Sequence, residues 1–166
     1  MHSDTIVALS TPPGRGAIAV VRLSGPKAVE IALRLFMSPD GRPLSTPTTH
    51  RAVHGYIADP SSGQYADEVL MTPMLTPHSY TGEDLVEISC HGGPAPMEAV
   101  IDLCMQAGAR PAEPGEFTRR AFLNDRMDLA QAEAVVDLIG AQARAGMSAA
   151  LEQLRGSVSR EITTLS

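Results

Sequence analysis

Through the first ninety positions, short apolar runs alternate with clusters of turn-forming residues; after that, apolar residues recur at three- and four-residue intervals. Thr5 to Leu9 reads as a short buried strand and Ala17 to Leu23 as a second, rich in Val and Ile, whose branched side chains suit a pleated surface. Between them Ser10-Thr11-Pro12-Pro13-Gly14-Arg15-Gly16 is a loop of turn formers. Pro26 suits the first turn of a helix, and Ala28, Ile31, Ala32, Leu35 and Phe36 give that helix one apolar face. Residues 38–49 hold four prolines and glycines and form a surface loop. Ala52 to Ala58 and Asp67 to Leu75 are two further strands, joined by Asp59-Pro60-Ser61-Ser62-Gly63, which is hairpin chemistry. A fifth strand runs from Asp84 to Cys90.

Helical spacing takes over after His91. Met97, Val100, Ile101, Cys104 and Met105 mark one face of a helix that Gly108 can end. Glu113-Pro114-Gly115-Glu116 opens another, with Phe117 and Ala121 on one face. Asp128 and Gln131 have capping-box spacing. From there Leu129, Ala132, Val136, Ile139 and Ala143 carry a stripe into Met147, Leu151, Leu154, Val158, Ile162 and Leu165. One helix over residues 128–165 would span roughly 57 Å, longer than the body of so small a domain. The expectation is that its far stripe packs on something absent or on a second copy, or frays beyond about Gly146. The chain reads as the front part of a larger protein.

Composition narrows the class. With 166 residues, 43% hydrophobic and 19% charged, the chain is long enough for one domain with a core plus an appended element. A net charge of -6 argues against a broad phosphate-binding face; an anionic ligand would need a local cluster of Arg. Cys90 and Cys104 follow no export signal, so reduced thiols and a cytoplasmic setting are expected. The run from Thr5 to Leu9 is too short for a membrane span.

The densest chemistry lies in Ser79-Tyr80-Thr81-Gly82-Glu83-Asp84-Leu85-Val86-Glu87-Ile88-Ser89-Cys90-His91-Gly92-Gly93. Glu83, Asp84 and Glu87 put charge into a segment that otherwise favours burial, and a half-buried carboxylate needs a partner. Arg22 interrupts an apolar strand and has the converse need. It either pairs with Glu83, Asp84 or Glu87 or meets an anionic ligand. Cys90-His91 is not a nucleophile–base pair, because neighbours on a strand point to opposite faces. The five histidines show no metal-ligand spacing. Thr11 to Gly16 is not a nucleotide loop: no Gly-x-x-x-x-Gly-Lys-Ser/Thr occurs, and Gly14-Arg15-Gly16 feeds a strand. Gly92-Gly93 reads as a strand-to-helix turn, with exposed amides as the alternative. Arg119, Arg120 and Arg126 surround a helix end, where most such arginines form a solvated face, and Arg126 sits at a junction between helices, where a side chain can be aimed into a cleft.

Three segments together resemble one family: Asp4-Thr5-Ile6-Val7-Ala8 through Pro12-Pro13-Gly14-Arg15-Gly16 to Val21-Arg22-Leu23-Ser24-Gly25; Tyr80-Thr81-Gly82-Glu83-Asp84 to His91-Gly92-Gly93-Pro94; and Pro114-Gly115-Glu116-Phe117 through Ala121-Phe122-Leu123-Asn124 to Asp128-Leu129-Ala130-Gln131-Ala132-Glu133-Ala134. Their order and spacing are similar to the N-terminal part of tRNA-modification GTPases of the MnmE/TrmE type. The resemblance implies an α+β fold with a mixed five- to six-stranded sheet and packed helices, similar to the folate-binding domain of the glycine-cleavage aminomethyltransferase. A long helix of an incomplete helical domain follows. Residues 1–120 would be the folate-binding and dimerisation domain and residues 121–166 the first part of the helical domain. It further implies a tetrahydrofolate cofactor (5-formyl or 5,10-methylene form) contacted by Arg22, Glu87 and Arg126, with no catalytic or metal-ligating residue in this chain. GTP, magnesium and potassium are implied only for a GTPase domain absent from it. The implied partners are a second copy, an FAD-dependent protein and, through the full complex, tRNA modified at its wobble uridine; no membrane is involved. A carboxylate suits the adjacent ring N–H and amino group of a pterin, and either Arg suits the carboxylates of a folate tail. The alternative from another class is a stand-alone folate-dependent one-carbon transferase; a third reading is a structural dimerisation domain without folate.

Overall fold

The computed structural model describes residues 4–44, 46–140 and 144–155. Seven strands, β1 (Ile6–Leu9), β2 (Ile18–Ser24), β3 (Phe36–Met37), β4 (Val53–Ala58), β5 (Tyr65–Met74), β6 (Leu85–His91) and β7 (Arg110–Pro111), form one sheet. Their order is β3-β4-β5-β6-β2-β1-β7, antiparallel throughout except for the parallel β1–β7 pair. The sheet is thus mixed, as expected, but wider than five or six strands. The two additional strands are two-residue edges, too short to show any alternation.

Period-two alternation decides what each strand buries. Val21 and Leu23 of β2, Val69 and Met71 of β5, and Val86, Ile88 and Cys90 of β6 all enter one core. Helices α1 (Ala28–Leu35) and α2 (Pro94–Gln106) cover that face with Ala28, Ile31, Leu35, Val100 and Cys104. Arg22, Glu87 and Thr72 alternate with these core residues and so lie on the sheet's other face. The β4–β5 turn forms as its composition predicts: Asp59 accepts from the Ser61 amide and hydroxyl and from the Ser62 hydroxyl, and Gly63 has φ +71°.

The chain divides into two compact units, Met1–Pro114 and Gly115–Ser166. In the second, α3 (Glu116–Leu123) carries a buried ion pair, Arg120 Nη2 to Glu116 Oε1 at 3.0 Å. Its end is closed by two amides: Asp125 N–H donates to the Phe122 carbonyl at 3.1 Å and Arg126 N–H to the Ala121 carbonyl at 2.9 Å. This is a Schellman closure, with Asp125 at φ 55° where glycine is usual. The capping box forms as read: the Gln131 amide donates to Asp128 Oδ1 at 2.8 Å and the Asp128 amide to Gln131 Oε1 at 2.9 Å.

The single helix over 128–165 is not observed. Helices α4 (Leu129–Gly140) and α5 (Arg144–Leu154) are separate and antiparallel. Gln131 Nε2 donates to the Leu154 carbonyl at 2.8 Å, and Gln153 Nε2 to the Ala130 carbonyl at 3.0 Å. Helix α5 carries regular structure past Gly146 to Leu154. Folding back buries Ala134 and Ala150, which a straight helix would leave in water; α4 ends at Gly140, a weak helix former. Val158, Ile162 and Leu165 lie outside the described residues.

Candidate functional site

Strand register sets the site. Arg22 on β2 stands directly opposite Glu87 on β6, where facing Cβ atoms lie about 4.5–5.5 Å apart. Arg22 donates from Nη2 at 2.6 Å and from Nε at 3.0 Å, both to Glu87 Oε1. The side chains are 22% and 26% exposed, so the pair is half-buried but reachable. Glu87 Oε2 has no hydrogen-bond partner among the described residues.

The three carboxylates considered for Arg22 therefore have different tasks. Glu83, buried, accepts the Ser24 hydroxyl at 2.9 Å. Asp84 accepts the Thr76 amide at 2.9 Å. Glu87 alone stands in register with Arg22.

Sequence reasoning did not single out Tyr80. The Arg22 guanidinium carbon lies 5.1 Å from its ring centroid, within cation–π range. Its neighbours fix it: Ser79 donates to the Glu83 carbonyl, and Thr81 shares a 2.7 Å hydrogen bond with Ser24, all of them buried. The signal available in sequence was an aromatic residue between two hydroxyl residues just before Gly82.

Arg126 belongs to the second unit, apart in sequence from the Arg22–Glu87 pair of the first. The closure after α3 fixes where its side chain starts, through its own amide. The structure thus brings Arg22 and Glu87 together and assigns Arg126 to a separate element.

The remaining candidates resolve on packing. The two glycine loops meet each other: Gly16 N–H donates to the Gly92 carbonyl at 3.0 Å and Gly92 N–H to the Ala17 carbonyl at 3.3 Å. A Cβ on Gly92 would fall 2.5 Å from the Gly16 carbonyl oxygen, so glycine is needed there for close approach. Pro94 and Pro96 remove two of the donors from the first turn of α2, which leaves little of an anion site. Cys90 Sγ donates to the Ala19 carbonyl while the His91 ring goes to Asp67 at 2.7 Å. Burial, helped by Asp67, raises the Cys90 pKa, and burial pushes the Cys104 thiol up to about 12. Neither is a nucleophile at neutral pH. Among the described residues no cluster of His, Cys, Asp and Glu could hold a metal ion, and no helix is long and apolar enough to cross a membrane.

Residues 5–126 match the family model described as GTP-binding protein TrmE N-terminus. The chain is 53% identical over 165 residues to the tRNA modification GTPase MnmE of Moorella thermoacetica, covering 99% of this chain and 36% of that protein. It is 54% identical over 162 residues to the protein of the same name from Geobacillus thermodenitrificans (98% and 35%) and 51% identical over 162 residues to that from Symbiobacterium thermophilum (98% and 35%). The chain spans about a third of the length of these relatives.

Proposed function

The chain belongs to the family of TrmE N-termini, and from that premise we propose that it is the folate-binding and homodimerisation module of a tRNA-modifying GTPase. The observation that carries this reading is the Arg22–Glu87 pair, a half-buried carboxylate with one oxygen that has no hydrogen-bond partner among the described residues. A pterin edge offers an N–H and an amino group side by side, which a carboxylate accepts as a pair. Glu87 fits that edge if Oε1 turns from one Arg22 contact while Oε2 takes the second donor. Arg22, so freed in part, would answer a carboxylate of the folate tail. Bound there, tetrahydrofolate supplies a one-carbon unit.

The rest of the proposal concerns the longer protein. The GTPase centre, with its GTP, magnesium and potassium, lies in the part of the relatives' length that this chain does not span. The FAD-dependent partner and the wobble uridine of tRNA are met by the assembled protein, in the cytoplasm. The fold relationship to the glycine-cleavage aminomethyltransferase belongs to the same proposal and is supported by a helix-backed mixed sheet.

Calorimetric titration with 5-formyltetrahydrofolate tests it. Glu87→Ala and Arg22→Ala should each weaken binding by about 1.5–3 kcal/mol, the worth of a hydrogen bond to a charged group. The same preparation should show twice the chain mass by light scattering. Variants that remain folded by circular dichroism and bind like the parent would remove the site assignment.

A further inference from the structure

The Arg22–Glu87 pair occupies only one side of Glu87. On the other side, the sheet register sets Thr72 of β5 directly opposite Glu87, again with Cβ atoms about 4.5–5.5 Å apart. Ser89, two residues along β6, projects from the same face of the sheet. Both residues are half-buried. Neither hydroxyl has a hydrogen-bond partner among the described residues, and neither has Glu87 Oε2. Yet no buried side-chain oxygen or nitrogen among those residues lacks a partner. The three oxygens are therefore reachable from outside, on a face whose other buried hydroxyls, Ser24 and Thr81, are already committed to each other and to Glu83.

We infer that Thr72 and Ser89 are ligand-reading residues of this site, completing with Glu87 Oε2 a row that takes the polar edge of a planar heterocycle. The inference rests on the folate reading and deepens it by naming what reads the head group. Chemistry favours this division of labour. An ionised carboxylate only accepts, so Glu87 recognises donors and is blind to the carbonyl and ring nitrogens of the same edge. Hydroxyls donate as well as accept, so Thr72 and Ser89 supply what Glu87 lacks. Arg22 also donates, but its two contacts to Glu87 lie on the opposite side, at Oε1. A heterocycle that alternates donors and acceptors is thereby distinguished from a simple amine or amidinium, which Glu87 alone would hold.

The test titrates the 166-residue chain with 5-formyltetrahydrofolate, comparing the parent with Thr72→Val, Ser89→Ala, Thr72→Ser and Glu87→Gln. Thr72→Val keeps shape and strand preference while removing the hydroxyl, so the fold should survive by thermal melting. The expected result is a Kd about fivefold weaker for Thr72→Val and for Ser89→Ala, the loss of one hydrogen bond each. Thr72→Ser, which restores the hydroxyl, should bind within about twofold of the parent. If the parent binds, Glu87→Gln weakens it, and Thr72→Val and Ser89→Ala bind like the parent, the assignment is overturned while the folate reading stands. A Thr72→Ser as weak as Thr72→Val also overturns it, since shape rather than the hydroxyl would then matter. A parent that gives no binding heat overturns the folate reading, and this assignment with it.

Discussion

Single side chains in this protein are set by what stands across the sheet from them. Asp67 shows how far one residue's environment is controlled by another. It accepts the His91 backbone amide and ring nitrogen, both at 2.7 Å. The hydrogen bond to Asp67, then the negative charge of that carboxylate, raises the His91 pKa above its ordinary 6.5. The sign follows from linkage. A group whose folded pKa exceeds its unfolded one contributes stability in full below the unfolded value. That contribution is lost as pH rises through the folded value, here above 6.5. The His91 ring is exposed, so the effect on stability is small and is best seen by titrating the ring. We predict a proton NMR midpoint above 6.5 in the parent that falls back in Asp67→Asn. An unchanged midpoint in that variant would assign the shift elsewhere. Sequence alone could not supply this pairing, because Asp67 and His91 lie on different strands 24 positions apart.

At the scale of elements, local rules served well where they were strong. The five longer strands, the β4–β5 hairpin, α1, α2 and the Asp128–Gln131 cap all follow from alternation, helical spacing and turn chemistry. The edges β3 and β7 did not, since two residues carry no period. The break between α4 and α5 did not either: the apolar stripe keeps its phase across Gly140, and only the gain from folding back distinguishes a hairpin from a rod. The turn after α3 breaks a local rule in a testable way. Asp125 sits at φ 55°, where a Cβ is strained, and its negative charge lies at a helix C-terminus, where the backbone dipole disfavours it. Asp125→Gly should therefore raise stability by about 1 kcal/mol, the relief outweighing the added freedom of glycine in the unfolded chain. Asp125→Asn should recover the electrostatic part alone. A thermal melt in which Asp125→Gly unfolds no higher than the parent would show that Asp tolerates the turn without cost.

For the molecule as a whole, the site was partly legible. Arg22 and Glu87 were visible as charges within apolar strands, but their facing each other depends on β2 lying beside β6, which no local pattern dictates. Tyr80 and Thr72 were silent because each matters through a residue on another element: Tyr80 through its ring's contact with Arg22 of β2, Thr72 through register with Glu87 of β6. One further consequence of the topology is mechanical. β7 lies parallel to β1 at the sheet edge, held by the Arg110 amide to the Thr5 carbonyl and the Ala112 amide to the Val7 carbonyl, both at 2.9 Å, and by Arg110 to Asp4 at 2.6 Å. The second unit begins three residues after Ala112. Tension between Asp4 and Gly115 thus pulls two parallel strands in opposite directions along their length, loading these bonds together in shear. The same tension applied from Ser10 would pull both strands from one end and peel the bonds apart in sequence. Force spectroscopy with handles at Asp4 and Gly115 should give a higher first rupture force than handles at Ser10 and Gly115; equal forces would mean that this edge does not act as the clamp.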